Sequence, residues 1–356
     1  MDVMSLATEL NLVGKLVYNV LYEWVNGWGI DSELIGAFGV TVILFTVFLT
    51  LLTLPLDIWQ KMIARSNSRK MRAMKPELDK INKLYANDKN ALMIKQRELY
   101  KKYKYSTFKT CLPMLATLII FMVVFSGFNS SVRYHNSVVY ENLKEVYNAT
   151  YESSYDASVE AGLGGTEAAA AATEAAESAV LEAYEPERFL LTTNIFMPDT
   201  WKDPIPDAAT YAGTGIGSIG VTDVDATEYN TVMAPLIEEY NYTEKGRSAW
   251  NGYLILPVLV MVLSIVSSKL VKPPEQPQVA GQTEEQQKAQ QSQMKMMQYV
   301  MPVIMGIFSL FYSAAFSLYM FLRSFMSFAF NLIWNLVLKR RDAKQLDYEM
   351  SITVKK

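Results

Sequence analysis

One cysteine, Cys111, and one histidine, His135, are all this chain of 356 residues has of either type. A lone cysteine excludes an internal disulfide framework. A lone histidine argues against a histidine-based metal site or catalytic triad. The first residues lack a basic stretch followed by a short apolar core, so no ordinary cleaved signal peptide is expected. Charge is also missing where it is most informative. Leu34 to Leu56 is a run of 23 uncharged residues, and Thr110 to Gly127 and Trp250 to Ser268 carry no charge either. Across the 43 residues from Met296 to Leu338 the only charge is Arg323. A bilayer core about 30 Å thick needs about 20 apolar residues per helical crossing. The last run is too long for one crossing and fits two antiparallel helices turned near Tyr312 to Ser317. Soluble cores rarely hold runs this long and charge-free. The fold class expected is therefore an all-α membrane protein with five transmembrane helices, at residues 33–56, 110–127, 250–268, 296–314 and 315–338. A cytoplasmic helical hairpin and an N-terminal interfacial helix complete it.

The charges that are present orient the spans. Between the first two, Asp57 to Thr107 holds 14 Lys/Arg against 5 Asp/Glu, and Lys339-Arg340-Arg341 follows the last span. Excess positive charge marks the cytoplasmic side. Phe128 to Ala249 reverses the balance, with 6 Lys/Arg against 20 Asp/Glu. The expected order is an extracytoplasmic segment 1–32, an inner hairpin 57–109, an outer loop 128–249, an inner linker 269–295 and an inner basic tail 339–356. The N-terminus is then outside and the C-terminus inside, in the plasma membrane of a bacterium. Leu12 to Ile30 is apolar but carries Lys15 and Glu23, and reads as an amphipathic helix at the interface; a sixth span is the competing reading. The hairpin has its turn at Asn87-Asp88-Lys89-Asn90, with Ile81, Leu84 and Tyr85 at helical spacing before it and Leu92, Ile94, Leu99 and Tyr103 after it. Its lysines serve as a platform for anionic headgroups, ribosomal RNA or targeting factors, or only enforce topology. The Ala/Glu/Gly-rich stretch from Ala157 to Ala183 reads as a disordered or surface-helical insertion rather than a folded binding module.

Polar residues inside the spans are the candidate functional groups. Thr46, Thr50 and Thr53 share one face of the first span. Arg323, Ser324, Ser327 and Asn331 lie close to one face of the fifth, and Ser267 sits near the cytoplasmic end of the third. Two polar stripes in a bundle suggest a hydrophilic groove; the plain alternative is hydrogen bonding between helices, in which Ser and Thr act as glue. Arg323 is costly in hydrocarbon and faces water or a partner, or snorkels to a headgroup. Met294, Met296, Met297, Met301 and Met305 cluster where the fourth span enters from the cytoplasm. They suit contact with varied apolar segments or serve as plain packing.

The order of parts resembles the YidC-type membrane protein insertases. The residues that carry the resemblance are Thr53-Leu-Pro-Leu56, Met74-Lys-Pro-Glu-Leu78, Asn87-Asp88-Lys89 and Tyr100-Lys-Lys-Tyr103, followed by Cys111-Leu-Pro113. Phe189 to Asp199, Leu256-Pro257, Met296-Met297-Gln-Tyr-Val-Met-Pro302 and Leu318-Tyr319 continue it. Each motif is weak alone; their order and spacing make the match specific. The resemblance implies a non-enzymatic insertase or chaperone with no catalytic residue, metal or cofactor and no small-molecule substrate. It would pass nascent hydrophobic segments into the bilayer along a polar groove open to the cytoplasm. Its partners would be nascent membrane proteins and the lipid bilayer, with the Sec translocon and the ribosome as further candidates. The groove residues implied are Thr46, Thr50, Thr53, Thr117, Ser267, Tyr319, Met320, Arg323, Ser324 and Ser327. Met294, Met296, Met297 and Met301 stand at the entry. Three positions depart from the family pattern: Thr50 stands where an arginine is usual, Thr117 for a glutamine, and Met320 for an aromatic. Either Arg323 supplies a relocated positive charge, or the chain is a specialised paralogue, a folding chaperone or scaffold for uncharged tails. A transporter would show inverted repeats around a midplane site, and none is visible.

Overall fold

Helices dominate the computed structural model because the charge-free runs leave the backbone no other way to satisfy its polar groups in hydrocarbon. The structure describes residues 10–29, 34–105, 107–215, 217–222, 224–243, 246, 248–270, 292, 300 and 303–353. Among these, three helices are long and apolar enough to cross a membrane: Ala37–Leu84, Leu115–Glu160 and Ala314–Leu338. Ile255–Leu270 is a shorter apolar helix, and residues 303–309 are helical. The entry methionines Met294, Met296, Met297 and Met301 lie outside the described residues. Two units make up the chain: Met1–Thr46, Met122–Val260 and Met305–Leu322 form one, and Val47–Phe121, Met261–Ile304 and Arg323–Lys356 the other.

In the second unit the first long helix, Ala37–Leu84, continues well past the apolar run. Asp88 ends the turn and caps the return helix Lys89–Lys102, its carboxylate accepting from the backbone N–H of Asn90 and Ala91. This is the hydrogen bond that an Asx cap provides. Met71, Met74, Leu78 and Leu99 form a buried cluster, with Ile81, Tyr100, Tyr103 and Tyr105 packed against it. Burial of Tyr100 pushes its phenol up to about 12. Polar contacts fix the register. The Tyr103 hydroxyl donates to Glu77 Oε1 at 2.7 Å, Lys102 donates to the other oxygen at 2.8 Å, and Gln96 donates to Asn82 at 2.7 Å.

In the first unit the second long helix does not stop where its apolar run stops. It runs unbroken over Thr107–Glu160, since no proline follows Gly127 before its end and its later turns have packing partners. Gly127 is required by the N-terminal helical segment, residues 12–26, which crosses it; a Cβ there would overlap Val13. Asn11 secures the crossing. Its backbone N–H and side-chain amide donate to the hydroxyls of Ser130 and Ser126, each at 3.0 Å. The middle of the N-terminal segment, Leu16–Tyr22, is a π-helix. It turns Tyr18 toward His135, with Tyr18 Oη 3.2 Å from Nδ1. The His135 ring stacks on Phe196 at 3.9 Å.

Of the two forms expected for the Ala/Glu-rich stretch, disordered or surface-helical, the structure has the helix, with one face packed. Gly165–Ala183 is a helix with Ala168, Ala172, Ala176 and Val180 all fully buried, and it packs on helix Ala226–Asn241. The repeated alanines conceal a four-residue period whose small side chains allow close approach of the two helices. Tyr140, Tyr211 and Tyr229 fill the space beside it, with ring centroids 4.5–5.6 Å apart. Residues 189–206 have neither helix nor strand, so their buried backbone groups need other partners. Three asparagines supply them. Asn251 accepts from the Asn194 N–H and donates to the carbonyls of Asn194 and Pro198. Asn241 pairs with both backbone groups of Ile205, and Asn194 donates to Pro204 O.

Two carboxylates start two helices. Asp199 accepts from the N–H of Leu254 and Leu256 at the head of Ile255–Leu270. Glu187 accepts from the Phe38 N–H at 3.1 Å, at the head of the first long helix, and from the Tyr22 hydroxyl at 2.7 Å. Such positions carry unsatisfied N–H groups that favour an anion. Burial nevertheless raises the Glu187 carboxyl above its ordinary value, and these two hydrogen bonds only partly oppose it. A carboxyl raised in the folded state contributes most below the ordinary carboxyl range and loses that contribution as pH climbs through its raised value. Glu187→Gln, which cannot ionise, should therefore gain stability relative to the wild type as pH rises from about 4 to 8. Thermal unfolding in detergent across that range checks this, and a difference that stays constant with pH would contradict it.

Candidate functional site

The polar side chains of the span helices are best taken one at a time, because their partners decide what they are free to do. In the first unit Thr46 is fully buried, and its hydroxyl donates back to Val42 O at 2.6 Å. Tyr319 is buried with its ring 5.4 Å from that of Phe128, and Met320 is buried beside it in sequence. These three are packed.

The remaining candidates belong to the second unit. Ser324 and Ser264 share a hydrogen bond at 3.1 Å. Asn331 donates to Ser267 at 3.2 Å, and Asn335 donates to Leu270 O at 3.1 Å. Here the structure uses Ser324 and Ser267 to join helix Ile255–Leu270 to the C-terminal helix Ala314–Thr353, the role of polar glue between apolar helices. Thr117 and Ser327 are half-buried.

Arg323 points to a different neighbour from Ser324. Its Nη2 lies 3.1 Å from Asp57 Oδ2 and 3.5 Å from Oδ1. The two side chains are 25% and 21% exposed. Asp57 is one residue beyond the Leu-Pro-Leu close of the first apolar run, and by charge pattern alone it belongs to the hairpin. Its only signal was being the first carboxylate after 23 uncharged residues. One turn further on, Lys61 sits over the Phe330 ring, 5.5 Å from its centroid. The ion pair leaves Arg323 no uncompensated charge, which is how an arginine among apolar helices is usually accommodated.

Thr50 is the exception to this economy. It is buried, and its hydroxyl has no hydrogen-bond partner; among the described residues only the Tyr140 hydroxyl shares that condition. A helical threonine can donate to the carbonyl four residues back, as Thr46 does. Thr50 does not, although the Thr53 hydroxyl donates to its own carbonyl at 3.3 Å. Leaving a buried hydroxyl unpaired costs about 1–3 kcal/mol. No group of three or more His, Cys, Asp or Glu is gathered anywhere among the described residues.

A family model described as 60Kd inner membrane protein matches residues 30–341. The chain belongs to that family. Curated relatives named membrane protein insertase YidC are similar over shorter stretches. The Fusobacterium nucleatum protein is 32% identical over 117 residues, 33% of this chain and 55% of that protein. The Bacteroides fragilis protein is 32% identical over 123 residues, 34% of this chain and 18% of its own length. That of Caldanaerobacter subterraneus is 36% identical over 92 residues, 26% and 43% respectively. The match thus spans about half or less of each of these relatives. For a member of the 60Kd inner membrane protein family, membrane residence and the apolar helices agree.

The Arg323–Asp57 pair makes a direct prediction. Asp57→Ala strands the guanidinium and should cost roughly 1–3 kcal/mol. Asp57→Leu combined with Arg323→Met should recover most of that loss, read as the unfolding midpoint in detergent. Equal losses in the single and double variants would show that the two side chains do not stabilise each other.

Proposed function

We propose that this chain is a membrane insertase that passes nascent hydrophobic segments into the bilayer, without an enzymatic step. Family membership supports the reading. The observation that carries it is Thr50, a buried hydroxyl held without a partner within the charge-free run of the first long helix. A stable bundle gains nothing from such a group. A passage for polar tails does, because each polar group offered along the way reduces the cost of leaving water. The apolar segment that follows supplies the driving force as it enters lipid.

The topology proposed is five spans with the N-terminus outside, the C-terminus in the cytoplasm, and the basic hairpin on the cytoplasmic side. The contacts within the second unit support it. Asp57 and Lys61 meet Arg323 and Phe330, while Ser264, Ser267 and Leu270 meet Ser324, Asn331 and Asn335. Both series rise together, so the first, third and fifth apolar helices run in the same direction, as alternating spans require. The groove proposed comprises Thr50, Thr53, Thr117 and Ser327, all in the second unit, and the methionines Met294, Met296, Met297 and Met301, outside the described residues, are the entry candidates from sequence alone. Nascent chains are the clients; the ribosome and the Sec translocon are candidate partners.

A second reading concerns client range. With Arg323 neutralised by Asp57 and Thr50 uncharged, these residues offer no net positive charge to an acidic tail. The chain is then a specialist for neutral tails. Purified protein in liposomes, given small single-span clients with neutral or acidic outer tails, separates the cases by protease protection. Insertion of both marks a general insertase, and insertion of neutral tails alone marks the specialist. Insertion of neither would overturn the proposal in favour of a partner-dependent chaperone or scaffold. Thr50→Val, which keeps the side-chain shape, should lower insertion several-fold while leaving the unfolding midpoint unchanged or raised. Undiminished insertion would remove Thr50 from the groove.

A further inference from the structure

We infer that the turn at Leu190-Leu191 is a lipid-contacting finger seated in the outer leaflet beside the head of the first span. The inference depends on the first long helix crossing the membrane with its head outside, as proposed above, and not on the insertase reading.

Phe189 and Thr192 exchange both backbone hydrogen bonds, N–H to carbonyl at 3.0 and 2.9 Å. That closes a two-residue turn with Leu190 and Leu191 at its tip. Leu190 has φ +53, and a turn with positive φ at its first central position ordinarily takes glycine there. Tips exposed to water favour Gly, Asn, Asp or Ser. Here both tip residues are leucine, and they are 52% and 59% exposed, although their flanks Phe189 and Thr192 are buried. In water this arrangement combines a backbone penalty with two exposed leucines and offers nothing in return. In acyl chains the exposure becomes favourable.

The position of the turn identifies the covering medium. The Leu190 N–H donates to Leu34 O at 2.6 Å, and the Gly36 N–H donates to Arg188 O at 2.7 Å. The first apolar helix begins at Ala37, so the tip stands where that helix leaves the bilayer. Leu34 is itself 61% exposed, so three exposed leucines stand together at the head of the helix. The N-terminal segment is tied to the same place by Tyr22 on Glu187. Two and six residues beyond Tyr22 come Trp24 and Trp28, exposed and in edge contact at 4.7 Å. Exposed tryptophans at this depth are what membrane–water interfaces attract.

The lone native cysteine makes the test direct. In a Cys111→Ser background, Leu191→Cys is labelled with an environment-sensitive nitrobenzoxadiazole dye and the full chain is placed in phosphatidylcholine vesicles. The same label at Leu190→Cys is a second position, and at Glu174→Cys, exposed on the alanine-rich helix, a water-facing control. The dye at 191 or 190 should emit to the blue of the control. Lipids carrying a nitroxide high on the acyl chain should quench it several-fold more than they quench the control, and iodide on both sides of the vesicles several-fold less. Iodide quenching equal to the control, with no nitroxide effect at either position, would overturn the inference and leave a protein partner as the cover.

Discussion

A polar group surrounded by hydrocarbon has no water to fall back on, and that constraint decides where most polar side chains of the span helices go. Thr46 bonds back to its own helix, Ser264 and Ser267 bond across to Ser324 and Asn331, and Arg323 takes Asp57. The cross-helix bonds do more than satisfy the polar groups. Three of them at successive levels fix both the register and the direction of Ile255–Leu270 against the C-terminal helix. Dispersion between apolar side chains would hold the two together but would tolerate sliding. Specificity in this part of the chain therefore comes from few atoms, and most of the apolar surface is left to face lipid.

The irregular segment of the first unit meets the same backbone requirement by other means. Residues 189–206 are irregular yet largely buried, a combination that fails unless side chains take over the work of a sheet. Asn194, Asn241 and Asn251 do so because an amide side chain offers both a donor and an acceptor and can copy a backbone pairing. Glu187 and Asp199 then link that irregular segment to the first turns of two apolar helices. The two apolar helices are thus positioned at their first turns by hydrogen bonds to a folded segment.

What the sequence made legible was whatever depends on local composition. The charge-free runs, the turn at Asn87-Asp88-Lys89-Asn90 and the helical spacing of Ile81, Leu92 and Leu99 need no partner to be read, although Leu84 and Ile94, read with them, are exposed. The order of short motifs was enough to reach the family. What stayed hidden depends on a partner distant in sequence. Gly127 reads as the end of a span, yet it is a contact point for Val13, and the helix continues. The alanine-rich stretch reads as low complexity until one face is seen fully buried. Ser267 and Ser324 have the residue types of a groove and the bonds of an interhelical seam, and no spacing rule separates those roles.

On the reading proposed above, Thr50 and Arg323 would keep a polar passage without a free charge. An arginine in the first span would be attractive to acidic tails, but it would require compensation whenever no client is present. This chain carries its one span-region arginine on another helix and compensates it permanently with Asp57. The unpaired hydroxyl of Thr50 costs less to leave waiting than a charge does, because a neutral group loses only a hydrogen bond on desolvation. A hydroxyl also accepts or donates as its visitor requires. Such a site gives up long-range attraction and retains short-range adaptability. If the chain is the insertase proposed, that exchange would suit clients that share an apolar segment and differ in the tail that must cross first.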